Sequence, residues 1–139
     1  MDDRKMRVSQ VSRITGEDGE TLVHKIEGEG CLRGDLLTFT ETAEQGAKVF
    51  HRISLGEGEL TVRRTGAVVS TVRFAAGERD SSVYRIPPYA FDMAVETESL
   101  ELERRGEVVS LRLVFRAEIG GSRQRTELCL TAEPREDAP

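Results

Sequence analysis

The sequence predicts an all-β protein, a single antiparallel up-and-down β-barrel of about eight to ten strands. Three observations lead to this fold class: apolar and polar residues alternate along most of the chain, turn signals recur at short intervals, and no window shows a convincing helical stripe. A length of 139 residues suits one domain with one core. We expect the barrel over residues 6–133, an N-terminal tail over 1–5 and an acidic C-terminal tail over 134–139.

Five runs show the alternation most clearly. Because successive side chains of a strand point to opposite faces, each run has one core face and one solvated face. The in-phase residues of the runs are Val49, His51, Ile53 and Leu55; Leu60, Val62 and Arg64; Val68, Ser70, Val72 and Phe74; Val109, Leu111, Leu113 and Phe115; and Thr126, Leu128, Leu130 and Ala132. Each run therefore predicts one strand of the barrel wall.

Turn signals, most of them containing glycine, separate the runs and predict hairpins joined as a meander. They lie at 16–20, 33–35, 44–46, 56–58, 65–66, 76–80, 104–106 and 120–122. The absence of long crossover segments argues against parallel βαβ units. An open sheet of about ten strands would expose unpaired backbone groups at both edges, so closure into a barrel is favoured. A two-sheet sandwich fits the same pattern and is the second choice.

The alternation slips by one residue in the second half of the chain. Within the stretch that follows Pro88, the apolar residues Phe91, Met93 and Val95 are odd-numbered, whereas Leu100 and Leu102 are even-numbered. A one-residue slip reverses which side chains face the core, so an extra residue is predicted near 97–99. Proline cannot donate to a strand ladder, so Pro87–Pro88 is predicted to form the corner between a short strand and a long bent strand that starts near Phe91.

Composition narrows the class of protein. A net charge of -5 and a pI near 5.2 argue against general binding to nucleic acid or anionic lipid. The N-terminal stretch MDDRKMRVSQV lacks a secretory apolar segment, and no run approaches the roughly 18 apolar residues of a membrane span, so we expect a cytoplasmic protein. Cys31 and Cys129 are expected to be reduced thiols, and the scattered His and Cys residues predict no metal or cofactor.

Four polar residues lie in phase with apolar ones and would face the interior or an open end of a barrel: His24, Glu41, His51 and Arg64. An unpaired charge in such a place costs several kcal/mol, so each needs a partner. Glu41 and Arg64 have opposite charges near strand ends, so we expect them to pair with each other or with a ligand at one mouth. The structural alternatives are an ion pair that only fixes register and an imidazole satisfied within the core.

Both tyrosines flank the Pro87–Pro88 corner. Tyr84 and Tyr89 are expected at a rim, with ring buried and hydroxyl wet, where they could line a ligand mouth. Nucleophile-elbow and phosphate-loop motifs are absent from the sequence, so no catalytic residue is assigned. The candidate ligand-binding residues are therefore Glu41, His51, Arg64, Tyr84 and Tyr89.

Short motifs in a fixed order carry a family resemblance. TFTE (38–41), KVFHRI (48–53), VRRTG (62–66), VRF (72–74), YRIPPYAFDM (84–93) and Thr97 resemble the YwiB-like family of uncharacterised bacterial proteins. The aromatic-x-Glu and Arg-x-Gly of that family correspond to Phe39-x-Glu41 and Arg64-x-Gly66, whereas its Thr-Pro-Tyr-Gly step is altered at 86–90. The resemblance implies a calycin-type, lipocalin-like β-barrel and no established activity.

We expect a binding module that holds a small molecule in the barrel interior or mouth. A structural or protein-interaction domain is the alternative. It would use its outer face or a homodimer interface, with Val68 or Val69, whichever points outward, and the strand at 107–117 as an apolar patch. An enzyme is the least favoured of the three classes.

Overall fold

The structure, a computed structural model, describes residues 3–135 with the exception of the Glu44 side chain. Residues 1–2 and 136–139 of the two predicted tails lie outside the described residues. The first strand begins at Arg4 and the last ends at Pro134, so strands extend through nearly the whole described chain.

Residues 3–135 contain ten strands and one 3-10 turn. The β4 strand shows the alternation in full, since each odd-numbered residue is buried and each even-numbered residue is exposed. The elements are β1 (Arg4–Gly16), β2 (Thr21–Arg33), β3 (Leu36–Thr42), the 3-10 turn (Glu44–Gly46), β4 (Lys48–Leu55), β5 (Glu59–Gly66), β6 (Ser70–Ala75), β7 (Arg79–Ile86), β8 (Tyr89–Arg105), β9 (Val108–Ile119) and β10 (Ser122–Pro134).

The strands follow one another antiparallel from β1 to β6 and from β7 to β10, and β1 also pairs with β10. The resulting order, β6-β5-β4-β3-β2-β1-β10-β9-β8-β7, leaves β6 and β7 at the edges. These edges meet at Val69 and Arg85, where each backbone N–H donates to the other carbonyl at 2.8 and 2.9 Å. The predicted up-and-down barrel is confirmed, and it is nearly closed.

The meander divides the connections between two ends. The connections that follow β1, β3, β5, β7 and β9 lie at one end of the barrel, which we call the upper end. The other four connections lie at the opposite end, which we call the lower end. The lower half is filled by apolar side chains that are fully or almost fully buried: Met6, Val8, Leu37, Leu60, Val109, Leu130 and Ala132. Across residues 3–135, no helix is long and apolar enough to cross a membrane.

The predicted irregularities of β8 are both present. Thr97 and Ser99 are opposite the adjacent residues Phe115 and Val114 of β9, so Glu98 is the extra residue of a bulge. Beyond the bulge Leu100 and Leu102 pack against the core, as the slip in phase predicts. Pro87–Pro88 fills the turn between β7 and β8 and forms the expected corner.

The seam between β2 and β3 is short and depends on two glycines. The ladder pairs Gly30–Arg33 with Leu36–Phe39, although β2 begins nine residues earlier at Thr21. A methyl group on Gly28 would lie 2.7 Å from the carbonyl oxygen of Thr40, and one on Gly30 would overlap the Thr38 carbonyl. Glycine at both positions therefore lets the two backbones approach closely.

We expect Gly30→Ala to lower the free energy of unfolding by about 2 kcal/mol or more, because the new methyl group overlaps backbone that cannot rotate away. Gly16→Ala is the matched control, since its methyl group would meet only the end of the Asp18 side chain at 3.1 Å. Urea denaturation measures both variants. Equal stability of the two variants would contradict the close approach at Gly30.

Candidate functional site

A row of directly opposite, inward-facing residues crosses four strands in the upper half of the barrel. The register pairs Phe39 with His51, His51 with Arg64, and Arg64 with Ser70. The rings of Phe39 and His51 stack with centroids 4.4 Å apart and an interplanar angle of 4°. Arg64 Nε donates a hydrogen bond to Ser70 Oγ at 3.0 Å. We call these four residues the cross-strand row.

Glu41 follows Phe39 on the same face of β3, and its carboxylate is held between two imidazoles. The Nε2 atom of His51 lies 2.9 Å from Oε1, and the Nε2 atom of His24 lies 3.0 Å from Oε2. An ionised carboxylate only accepts, so both histidines carry a proton on Nε2 and donate it. The side chains of His51, Glu41 and His24 are 5%, 15% and 50% exposed. These three residues, which we call the Glu41 cluster, therefore extend from the core to the surface.

Burial and hydrogen bonding determine the charges of Glu41 and His51 in the Glu41 cluster. Burial acts to raise the pKa of Glu41, but the hydrogen bonds from His51 and His24 outweigh it and hold that pKa below its ordinary value. Burial lowers the pKa of His51 and outweighs the opposing effect of Glu41. At neutral pH the core of the cluster is therefore a carboxylate hydrogen-bonded to a neutral imidazole.

Arg64 has a different set of partners. Its guanidinium lies over the ring of Tyr84, with Cζ 5.4 Å from the ring centroid. Burial lowers the pKa of Arg64, and the charges of Tyr84 and Glu41 act in the opposite direction. An arginine side chain remains protonated even so. Among the described side chains, no carboxylate oxygen lies within 4.0 Å of this guanidinium.

These groups line one cavity of about 230 Å³ in the interior of the barrel. One part of its wall is apolar and includes Ile53, Leu60, Val72, Phe74, Leu111 and Leu113. The other part is polar and includes Gln10, Ser12, His24, Glu41, His51, Arg64, Ser70, Tyr84, Gln124 and Thr126. The cavity can therefore contact an apolar group and a polar group of one molecule at the same time.

Four of the five predicted binding residues meet at this cavity: Glu41, His51, Arg64 and Tyr84. The inward phase of Glu41, His51 and Arg64 in the sequence predicted this placement, whereas Tyr84 was expected at a rim. Tyr89 does not join them, because it begins β8 at the upper end and its side chain is 66% exposed.

The predicted direct pair of Glu41 and Arg64 is wrong for the described side chains. Glu41 accepts hydrogen bonds from the two histidines, whereas Arg64 bonds to Ser70. The register gives the physical reason, since His51 lies directly opposite Arg64 and Glu41 lies opposite Val49.

Four buried polar residues that line the cavity were not predicted as binding residues from the sequence: Gln10, Ser12, Ser70 and Thr126. The signal was present, because each lies in phase with apolar residues of its own strand, as Gln10 and Ser12 do between Val8 and Ile14. Uncharged polar side chains at such positions are easily taken for core filling.

A second cavity, of about 550 Å³, adjoins the first at the seam between β2 and β3. It shares His24, Ile26 and Glu41 with the interior cavity and is also lined by the exposed Lys25 and Glu27. The β2–β3 ladder ends at the pair of Gly30 and Phe39, below this point. Side chains, chiefly the hydrogen-bonded His24 and Glu41, therefore form the wall between the two cavities.

We expect the free energy of unfolding to fall as the pH drops below about 6.5, the ordinary pKa of histidine. The pKa of His51 is lower in the folded protein, so the unfolded chain binds the extra proton first, and acidification favours it. For one proton the slope cannot exceed about 1.4 kcal/mol per pH unit. His51→Gln keeps an N–H donor for Glu41 but does not titrate, and urea denaturation between pH 7.5 and 5.5 should show a flatter profile.

His24→Gln is the matched control for this change, because it removes the exposed histidine of the same carboxylate and leaves His51 in place. Its profile should keep the decline of the wild type. A decline of unchanged slope in His51→Gln would show that another group carries the pH dependence.

Comparison with known proteins places the chain in a family. Residues 6–129 match the family described as "Domain of unknown function (DUF1934)". The crystal structure of the ywiB protein from Bacillus subtilis is similar, with a TM-score of 0.78 at 20% sequence identity over 96% of this chain and 94% of that chain. Among curated proteins none matches. The low identity means that the structural likeness speaks for the fold, which is the predicted barrel. On the match across residues 6–129, this chain belongs to the DUF1934 family.

Proposed function

We propose that the protein binds a small organic molecule in the interior cavity of its barrel. The observation that carries this function is the convergence of polar side chains from eight strands on one cavity of about 230 Å³: those of β1, β2, β3, β4, β5, β6, β7 and β10. Pockets of this character, mostly apolar with a few placed polar groups, are typical of ligand sites. The family resemblance to calycin-type barrels is in accord with this use and stays a prediction.

The cavity volume limits the size of the ligand. An engineered apolar cavity of roughly 150 Å³ holds benzene, so about 230 Å³ suits a molecule of roughly nine or ten non-hydrogen atoms. The polar part of the wall also argues against a merely imperfect core. Buried polar groups without partners weaken a core, so polar side chains that face a cavity favour a ligand or water within it.

A protein-interaction role is the second candidate, and exposed apolar side chains at the upper end favour it. Leu22, Ile86, Tyr89 and Phe91 are all at least 40% exposed there. The patch expected on β9 is weaker, because its outward Val114 is buried and Arg112 and Arg116 are charged. We propose self-association through the upper end as this alternative, and sedimentation velocity would show a dimer if it holds.

A cytoplasmic location is part of the proposal. Cys31 and Cys129 are both free thiols, as expected of a protein in a reducing compartment.

We expect benzyl alcohol, a neutral probe of suitable size, to shift the amide resonances of cavity residues in a titration followed by NMR. Ala117→Leu should abolish these shifts, because Ala117 lines the cavity and is buried, so the larger side chain fills the space. Ala94→Leu is the matched control on the neighbouring strand, since Ala94 faces outward opposite Glu118.

The titration separates cavity binding from surface binding. Shifts that survive Ala117→Leu, or that map to the outer face of β8 and β9, would contradict an interior site. A melting temperature recorded for each variant shows that the barrel is still folded.

A further inference from the structure

We propose that the ligand is a small organic acid whose carboxylate binds to Arg64, an inference that rests on the proposed function. The chemical class follows from which groups of the cavity wall already have partners and which do not. Three features of the wall bear on this class: the hydrogen-bond donors of Arg64, the occupied oxygens of Glu41 and the apolar side chains.

Arg64 is a partly buried cation that lacks an anion. Its side chain is bonded through Nε to the neutral Ser70, and among the described side chains no carboxylate lies within 4.0 Å. A cation removed from water needs an opposite charge or several acceptors to offset the loss of hydration. The protein supplies one hydroxyl, and because Arg64 lines the cavity we infer that a ligand there supplies further acceptors.

The orientation of Arg64 leaves a specific edge available. The guanidinium carbon lies over the Tyr84 ring, and Ser70 occupies the Nε–H. The two terminal nitrogens carry four further N–H donors in a planar fork. This fork matches the two oxygens of a carboxylate, which it binds through parallel hydrogen bonds.

The nearest acidic side chain of the cavity wall is not available for this role. Each oxygen of Glu41 accepts a hydrogen bond from a histidine, His51 on one side and His24 on the other. The low pKa of Glu41 keeps it ionised, so its charge disfavours a second carboxylate beside it. Arg64 also lines the cavity, and its positive charge attracts a carboxylate.

The rest of the wall defines the body of the acid. The apolar part of the cavity wall includes Ile53, Val72 and Phe74. An aromatic ring or a short hydrocarbon chain buries its surface against these residues. With roughly nine or ten non-hydrogen atoms in all, the ligand class is a monocarboxylic acid of about the size of benzoate.

The test compares benzoate with benzamide, which have the same shape and differ in charge. NMR titration of the wild type at pH 7.5 should give benzoate an affinity at least about tenfold higher, because its hydrogen bonds to Arg64 are charge-assisted. Arg64→Met should remove the preference while benzamide still binds. Arg64→Lys keeps the charge without the planar fork and should retain part of the preference.

Arg63→Met is the matched control, since Arg63 is the adjacent residue of β5 and its side chain is exposed on the outer face. It should bind both probes as the wild type does. Equal affinities of benzoate and benzamide for the wild type, or a preference that survives Arg64→Met, would overturn the acid ligand and leave cavity binding intact. Failure of both probes to bind the wild type at millimolar concentration would reject the proposed function together with it.

Discussion

The candidate site depends on the closure of the sheet at Val69 and Arg85. Arg64 lies on β5, next to one edge strand, and Tyr84 lies on β7, the other edge strand, so the sheet order separates them by eight positions. The two backbone hydrogen bonds of Val69 and Arg85 bring these edges together and place the Tyr84 ring against the guanidinium. In an open sheet the same residues would face solvent on opposite sides of the molecule.

In the closed barrel, the apolar lower half stabilises the fold, so polar groups can be accommodated in the upper half. The lower half is packed with apolar side chains and contains both ends of the described chain, and it provides the hydrophobic core that keeps the wall together. The upper half can then carry a cross-strand row that mixes an aromatic ring, an imidazole, a guanidinium and a hydroxyl. Each is held by a directly opposite neighbour, so the row needs no loop to position it.

Alternation along one strand could be read from the sequence, but contacts between strands could not. The period of two predicted that Glu41, His51 and Arg64 face inward, and the slip in phase located the bulge at Glu98. The partners of Glu41 depend on strand register and on the short β2–β3 ladder, neither of which leaves a mark in the alternation. The sequence therefore predicted correctly that these charged residues face inward, but the predicted direct pair of Glu41 and Arg64 does not form.

Stability alone does not account for the composition of the cross-strand row. A buried ion or ion pair is often replaceable by apolar residues of similar volume without loss of stability, so a barrel selected only to fold would gain nothing from a guanidinium at position 64. Here the nearby carboxylate of Glu41 is hydrogen-bonded to two histidines, and the register places His51, not Glu41, opposite Arg64. The arrangement holds a cation ready beside an apolar cavity, at a cost that the contents of the cavity can offset. Binding of an anion, as proposed above, would use the cation, the Tyr84 ring and the cavity that both residues line.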